Sequence, residues 1–394
     1  MSRPRRLAFV VSHPIQYYAP LYQRLAVRKD IDVRVFFTWH AGESSVLDRG
    51  FEREVAWDLP LVDGYGFERV PNVARDLGTH HFLGLQNPSL LTQVQAWSPD
   101  VVHVTGWAWW SHLRLMRRLR HLTIPVLFRG DSHLLDERLR GPRWWVKQAV
   151  LRRVYSWPTA FLVVGQANRA YYEAFGVRPE RLLWCPHSID VARFAEPKEQ
   201  YESQAAIWRR ELRIDGSACV ILFAGKFEAK KQPIVLMRSL LEIQDSSAVL
   251  VMVGGGELES QVREFAAAHP TRFRVLPFQN QSQMPIVYRL GGLFVLPSAY
   301  GETWGLAVNE ALACGRPVLV SDHVGCAVDV VTEECGQVYS GKGAAPLTHA
   351  IRDLVSAPAR LAAMRTGASI QARRFDLAAT EVGLLDAVAG VLSK

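Results

Sequence analysis

PSAYGETWGLAVNEALACGRPV, residues 297–318, carries the turn from a buried strand into a helix. The apolar run LFVLP (293–297) at its start predicts the strand. Residues 306–314 predict the helix, with Gly315 as its stop and Pro317 just beyond. Gly301 and Gly305 lie in the connecting loop. The backbone N–H groups of Thr303, Trp304, Gly305 and Leu306 then point out of a helix N-terminus. Such an end attracts phosphate, because its donors lack intrahelical partners and the helix dipole is positive there. Glu302 sits on the loop beside this anion site, and Glu310 sits about two turns into the helix. Carboxylates there suit the hydroxyls of a ribose or a hexose, not phosphate. Two solvated acids on a surface helix are the plain alternative, and it is the whole string, more than the spacing of the glutamates, that argues against it.

Outward from this stretch, short apolar runs alternate with helical patterns along the whole chain. LAFVV (7–11), VRVFF (33–37), VVHV (101–104), PVLF (125–128), FLVV (161–164) and RLLWC (181–185) predict strands in the first half. CVILFA (219–224), VLVMV (249–253), FRVLP (273–277) and PVLV (317–320) predict more in the second. Continuous apolar strands joined by helices imply parallel sheets covered on both faces, an α/β fold. The 394 residues exceed one ordinary core. The polar stretch 190–216 reads as an interdomain linker followed by a helix. Domains are therefore expected at 1–190 and 191–374, with a final helix over 375–394.

Composition narrows the function classes. The chain is 49% hydrophobic and 21% charged, as globular proteins are. No run approaches the roughly 18 apolar residues of a membrane span. The start, MSRPRRLAFVVSHP, reads as a first strand and not as a signal peptide. Five cysteines with no C-x-x-C pair read as buried thiols of a reducing compartment, which points to the cytoplasm and away from a zinc site. Residues 101–160 hold 11 basic and 3 acidic side chains, equal to the whole net charge of +8. Such an excess calls for an anionic partner. Arginine and lysine interleaved with Trp144, Trp145, Tyr155 and Trp157 suit an anionic membrane surface, and the candidate contacts are Arg138, Arg140, Arg143, Trp144, Trp145, Lys147, Arg152 and Arg153. Solvated helix faces are the alternative. No nucleic-acid motif accompanies the charge.

The 297–318 string resembles the signature of the retaining, nucleotide-sugar-dependent glycosyltransferases of family 4. That resemblance implies the GT-B fold: two doubly wound Rossmann-like domains facing a central cleft, with a C-terminal helix crossing back to the first. It implies that Glu310 holds the donor ribose and Glu302 the donor hexose. GKFEAKKQP (225–233) is similar to the family's diphosphate-gripping loop, with Gly225 for the turn and Lys226 and Lys231 as the basic pair. Lys226 replaces an arginine, so a bidentate fork becomes a point charge. Lys230 reads as solvated. VGGGELE (253–259) is a glycine turn with structure and nucleotide contact evenly matched. Phe278 falls where the family places the base, with buried core as the alternative. In SDHVGCAVDVV (321–331) Gly325 remains from a loop that approaches the diphosphate.

The first domain resembles the family more loosely. SHPIQY (12–17) is similar to one bacterial subgroup, and His13, Gln16 and Tyr17 become acceptor-side candidates. In FRGDSHLL (128–135) either Asp131 or His133 takes the place of the family's donor-side histidine, and Arg129 beside them could hold an anion. The implied reaction uses a nucleotide-diphosphate sugar as donor and a saccharide or lipid-linked acceptor, with no cofactor and no metal. A sugar-nucleotide epimerase of the same fold, or a non-catalytic subunit of a polysaccharide assembly, would share the architecture.

Overall fold

The computed structural model describes residues 3–39, 46–48, 51, 53–135, 141–243, 247–341 and 343–393. The chain divides into two compact units, one of residues 1–46, 59–187 and 377–394, the other of residues 47–58 and 188–376. The expected membrane contacts Arg138 and Arg140 lie outside the described residues.

Strands β1 (Arg5–Val11) and β2 (Ile31–Phe37) open the first unit. The short strands β3 (Val46–Asp48) and β4 (Arg53–Val55) then pair with each other. Strands β5 (Gly66–Arg69), β6 (Val101–Thr105), β7 (Val126–Arg129), β8 (Ala160–Val163) and β9 (Leu182–Trp184) complete a seven-stranded sheet. Its order is β5-β2-β1-β6-β7-β8-β9, and every pairing is parallel. Parallel neighbours need crossover connections, and helices such as Ala19–Ala26 and Trp110–His121 supply them. The sheet is buried on both faces. Val10, Val102, Phe128 and Phe161 pack into one core. Phe9, Val33, Leu127 and Leu162 pack into the other, together with Leu384 and Val388 of the C-terminal helix Leu377–Leu392. Gly383 lets that helix lie against β9, since a Cβ there would stand 2.4 Å from the Trp184 carbonyl oxygen.

The second unit holds β10 (Val220–Lys226), β11 (Val249–Gly255), β12 (Phe273–Leu276), β13 (Leu293–Leu296), β14 (Val318–Ser321) and β15 (Gly336–Tyr339). These form a parallel sheet in the order β12-β11-β10-β13-β14-β15. Strand order reverses beside β10 and β13, and the carboxyl ends of such strands are where ligands bind open α/β sheets. Both candidate anion loops, after β10 and after β13, leave from that point. Among the described residues no helix is long and apolar enough to cross a membrane.

Candidate active site

The loop after β13 turns into helix Leu306–Ala313 at Gly305, which stands at φ +94° with no side-chain cap. A Cβ at Gly305 would lie 2.9 Å from a Val324 methyl carbon, so both dihedral and space require glycine.

Glu302 and Lys231 meet at this loop. Lys231 Nζ donates to Glu302 Oε2 over 2.6 Å, and the Ser298 hydroxyl donates to the same oxygen over 3.2 Å. Both charged side chains are mostly buried. Lys231 is placed by the 3-10 turn Ala229–Lys231, which follows β10 and precedes helix Pro233–Leu241. Gly225 stands at φ +153° beside that lysine. Lys230, expected to be solvated, is half-buried: it pairs with Glu228 at 2.9 Å and its stem lies beside Gly301.

Glu310 is 2% exposed, and its Oε2 accepts from the Tyr288 hydroxyl over 2.6 Å. A buried carboxylate needs such donors. Trp304 turns inward and donates its indole N–H to Asn309 Oδ1 over 3.0 Å, while Thr303 is exposed and Leu306 half-buried. Gly325 works through its backbone: its N–H donates to the Glu302 carbonyl over 3.0 Å, and a Cβ there would meet the Thr303 carbonyl oxygen at 1.9 Å. The Gly325 amide thus holds the Glu302 loop. Lys226, the last residue of β10, directs its ammonium at the Phe51 ring, 4.9 Å away, and Phe51 packs edge-on against Phe278 at 4.6 Å.

In the first unit, His13 follows β1 with Nδ1 2.9 Å from the Ser12 hydroxyl oxygen and its ring edge-on to Trp39. Burial lowers its pKa to about 4, so it is neutral at pH 7. Gln16 and Tyr17 are half-buried in the turn before helix Ala19–Ala26. Arg129 ends β7 and is 3% exposed. It donates to the Cys185 and Pro186 carbonyls and to His187 Nδ1, and it lies over the Tyr18 ring. A guanidinium so committed is a strut for residues 185–187. Asn168 donates to the carbonyls of Gly130 and Ser132 and so fixes the loop between Arg129 and His133. On that loop Asp131 is exposed and His133 is buried.

His187 is a residue the sequence reading passed over. Burial first, then the charge of Arg129, drive its pKa well below the ordinary value. Its Nδ1 accepts from Arg129, and its Nε2 faces Asp131 Oδ2 at 3.9 Å. The signal was C-P-H-S directly after the short strand β9. Tyr18, whose ring lies near both Arg129 and His187, was not singled out either.

On the expected membrane face, helix Pro142–Val154 exposes Trp145 (67%) and Val146 (64%) together with Arg143, Arg152 and Arg153. Trp144 and Lys147 turn inward onto Phe175. Trp110, Arg114, Arg117, Arg118, His121 and Trp157 line a separate cavity of about 380 Å3. Asp76, His80 and His81 form the one described group whose ligand atoms all lie within 4.8 Å of one another.

Two Rossmann-like domains with parallel sheets, the second bearing lysines and carboxylates at its strand ends, define a GT-B glycosyltransferase. The model for glycosyl transferases group 1 matches residues 204–371, and that for glycosyltransferase family 4 matches residues 48–193. A D-inositol 3-phosphate glycosyltransferase of Rhodococcus erythropolis is 31% identical over 98% of this chain and 91% of its own length. Its counterpart in Rhodococcus opacus is 32% identical over 54% of this chain and 48% of its own. The chain belongs to this glycosyltransferase family. Among solved structures, a glycosyltransferase from Rickettsia africae has a TM-score of 0.75 at 12% identity, covering 100% of both chains. Anabaena HepE in complex with UDP and glucose has a TM-score of 0.71 at 15% identity, covering 98% of this chain and 100% of that one.

Proposed function

We propose that the protein is a retaining, metal-independent hexosyltransferase using a nucleotide-diphosphate sugar. The observation that carries this reading is the Lys231–Glu302 pair, 2.6 Å apart beside a glycine-capped helix N-terminus. A cation beside a helix N-terminus suits a diphosphate, and a carboxylate next to it suits sugar hydroxyls. Lys231, Lys226 and the amides near Gly305 neutralise the charge that grows on the diphosphate as the glycosidic C–O bond breaks. The acceptor oxygen bonds the anomeric carbon on the face the diphosphate leaves, and the acceptor proton passes to a leaving phosphate oxygen. No protein base is then needed. A covalent route would require Asp131 or Glu302 as nucleophile. Exposed Asp131 or buried His133 contacts the donor sugar, and His13, Gln16 and Tyr17 serve the acceptor.

The basic first unit takes an acceptor at the inner face of the cell membrane, as a lipid-linked or cell-surface glycan precursor in polysaccharide biosynthesis. Exposed Trp145 and Val146 among arginines support this peripheral attachment. A second reading, a small phosphorylated polyol as acceptor, is supported by the names of the relatives. Liposome sedimentation at low salt separates them: binding to anionic but not neutral vesicles supports the membrane, and no binding removes it. The reaction itself is tested by thermal stabilisation across a panel of UDP-, GDP- and ADP-sugars. One donor should raise the melting temperature, and a flat panel overturns the reading.

A further inference from the structure

Residues 47–58 lie in sequence between segments of the first unit, yet they pack with the second. The far end of this strap is held by hydrogen bonds. The Asn280 side chain donates to the Ala56 carbonyl over 2.6 Å, and the Ser282 backbone N–H and hydroxyl both donate to the Asp58 carboxylate. Its near end spans three adjacent strand ends. Phe51 touches Lys226 at the end of β10 and Phe278 beyond β12. Arg53 lies over the Phe278 ring at 5.7 Å, and one of its nitrogens is 3.2 Å from where a Cβ on Gly255, the last residue of β11, would stand. Arg53 also reaches Glu259 at 3.5 Å, and Trp57 approaches Phe278 edge-on.

The carboxyl ends of neighbouring parallel strands are where a nucleotide would lie. The strap brings to them what a nucleotide binds: an aromatic ring for a base and a guanidinium for a phosphate or a base carbonyl. Phe51 and Phe278 are only half-buried and the Arg53 side chain is 35% exposed, so the cluster is open to a ligand.

We propose that Phe51 and Arg53 are donor-nucleotide-binding residues, supplied to the second unit by a strap from the N-terminal half of the chain. The proposal rests on the donor-site reading above and extends it to residues outside the family's C-terminal motifs. Phe51 packs against the base or ribose, and Arg53 adds a third cation beside Lys226 and Lys231. Donor affinity and base preference then depend on residues 51–58.

The experiment is calorimetric titration of the full chain with UDP, GDP and ADP, followed by the nucleotide that binds tightest. Phe51→Ala and Arg53→Ala are each expected to raise its Kd by roughly 5- to 30-fold, the scale of a lost base-stacking contact. Arg53→Lys should recover part of the loss. Hydrogen exchange over 51–58 should slow when that nucleotide is added, a readout independent of whether either variant folds. Wild-type affinity in both variants, or tighter binding with faster exchange, overturns the proposal and makes the strap an obstacle to the donor. If the wild type binds none of the three while anionic vesicles or phosphorylated polyols do bind, the donor-site reading fails first and this proposal falls with it.

Discussion

Replacing Lys231 by alanine removes the cation that the structure fixes most firmly at the candidate diphosphate site. Lys231 Nζ sits 2.6 Å from Glu302 with both side chains mostly buried, so the ion pair holds the ammonium in place. A full charge about 4 Å away interacts with it by about 4 kcal/mol at an effective dielectric of ~20. With about half a charge gained by the leaving diphosphate in the transition state, the differential term is about 2 kcal/mol. That corresponds to a roughly 30-fold fall in kcat, and more where water is excluded. The assay is steady-state kinetics of nucleotide release with saturating acceptor, on wild type, Lys231→Ala and Lys231→Arg. A large fall in kcat with a small rise in donor KM, partly restored by arginine, is the expected result. A rise in KM with kcat unchanged would mean uniform binding and would refute the transition-state role.

Glu310→Gln should weaken nucleotide binding by about 1–3 kcal/mol, because a charge-assisted hydrogen bond becomes neutral; calorimetry showing unchanged affinity in a folded variant removes the ribose assignment. Gly325→Ala should push on the Thr303 carbonyl, which leaves 1.9 Å for the new Cβ, and cost about 1–3 kcal/mol of stability; kcat should fall with it, and a variant with wild-type melting and turnover would show that the loop yields freely. Acid should destabilise the first unit through His112, which is fully buried, bonds the Thr105 carbonyl through Nδ1, and has its pKa lowered by burial to about 4. The unfolded chain binds the proton more readily than the folded one, so stability is intact above pH ~6.5 and falls by about 3 kcal/mol as pH drops towards 4. Urea unfolding followed across that range checks this, and a flat profile contradicts it.

Most of the architecture was legible because most sheet strands contain a short apolar run between helical patterns, the pattern of parallel sheets covered on both sides. VRVFF (33–37) and CVILFA (219–224) mark most of Ile31–Phe37 and Val220–Lys226, whereas the edge strand Gly66–Arg69, reading GFER, has no apolar run and gave no signal. Lys231 and Glu302 were legible as separate motifs, but they are 71 positions apart, and only the turn after β10 and the loop after β13 bring them into contact. Arg129 looked like an anion holder because a sequence shows its charge and not the carbonyls of residues 185 and 186 that its two terminal nitrogens already bond. Gly325 read as a phosphate-facing glycine, whereas its backbone closes on the Glu302 loop. The strap at 47–58 carried no signal, since partners such as Phe278 lie more than 200 residues away in the chain.

The central claim is transfer of a sugar from a nucleotide donor with its anomeric configuration kept. Proton NMR of the first-formed product, made from an α-linked nucleotide sugar that the thermal panel identifies, reads that configuration from the anomeric coupling before hydrolysis intrudes. Retention gives an α-linked product with release of one nucleoside diphosphate per bond formed. A β-linked product, or an altered donor with no acceptor bond made, would contradict it.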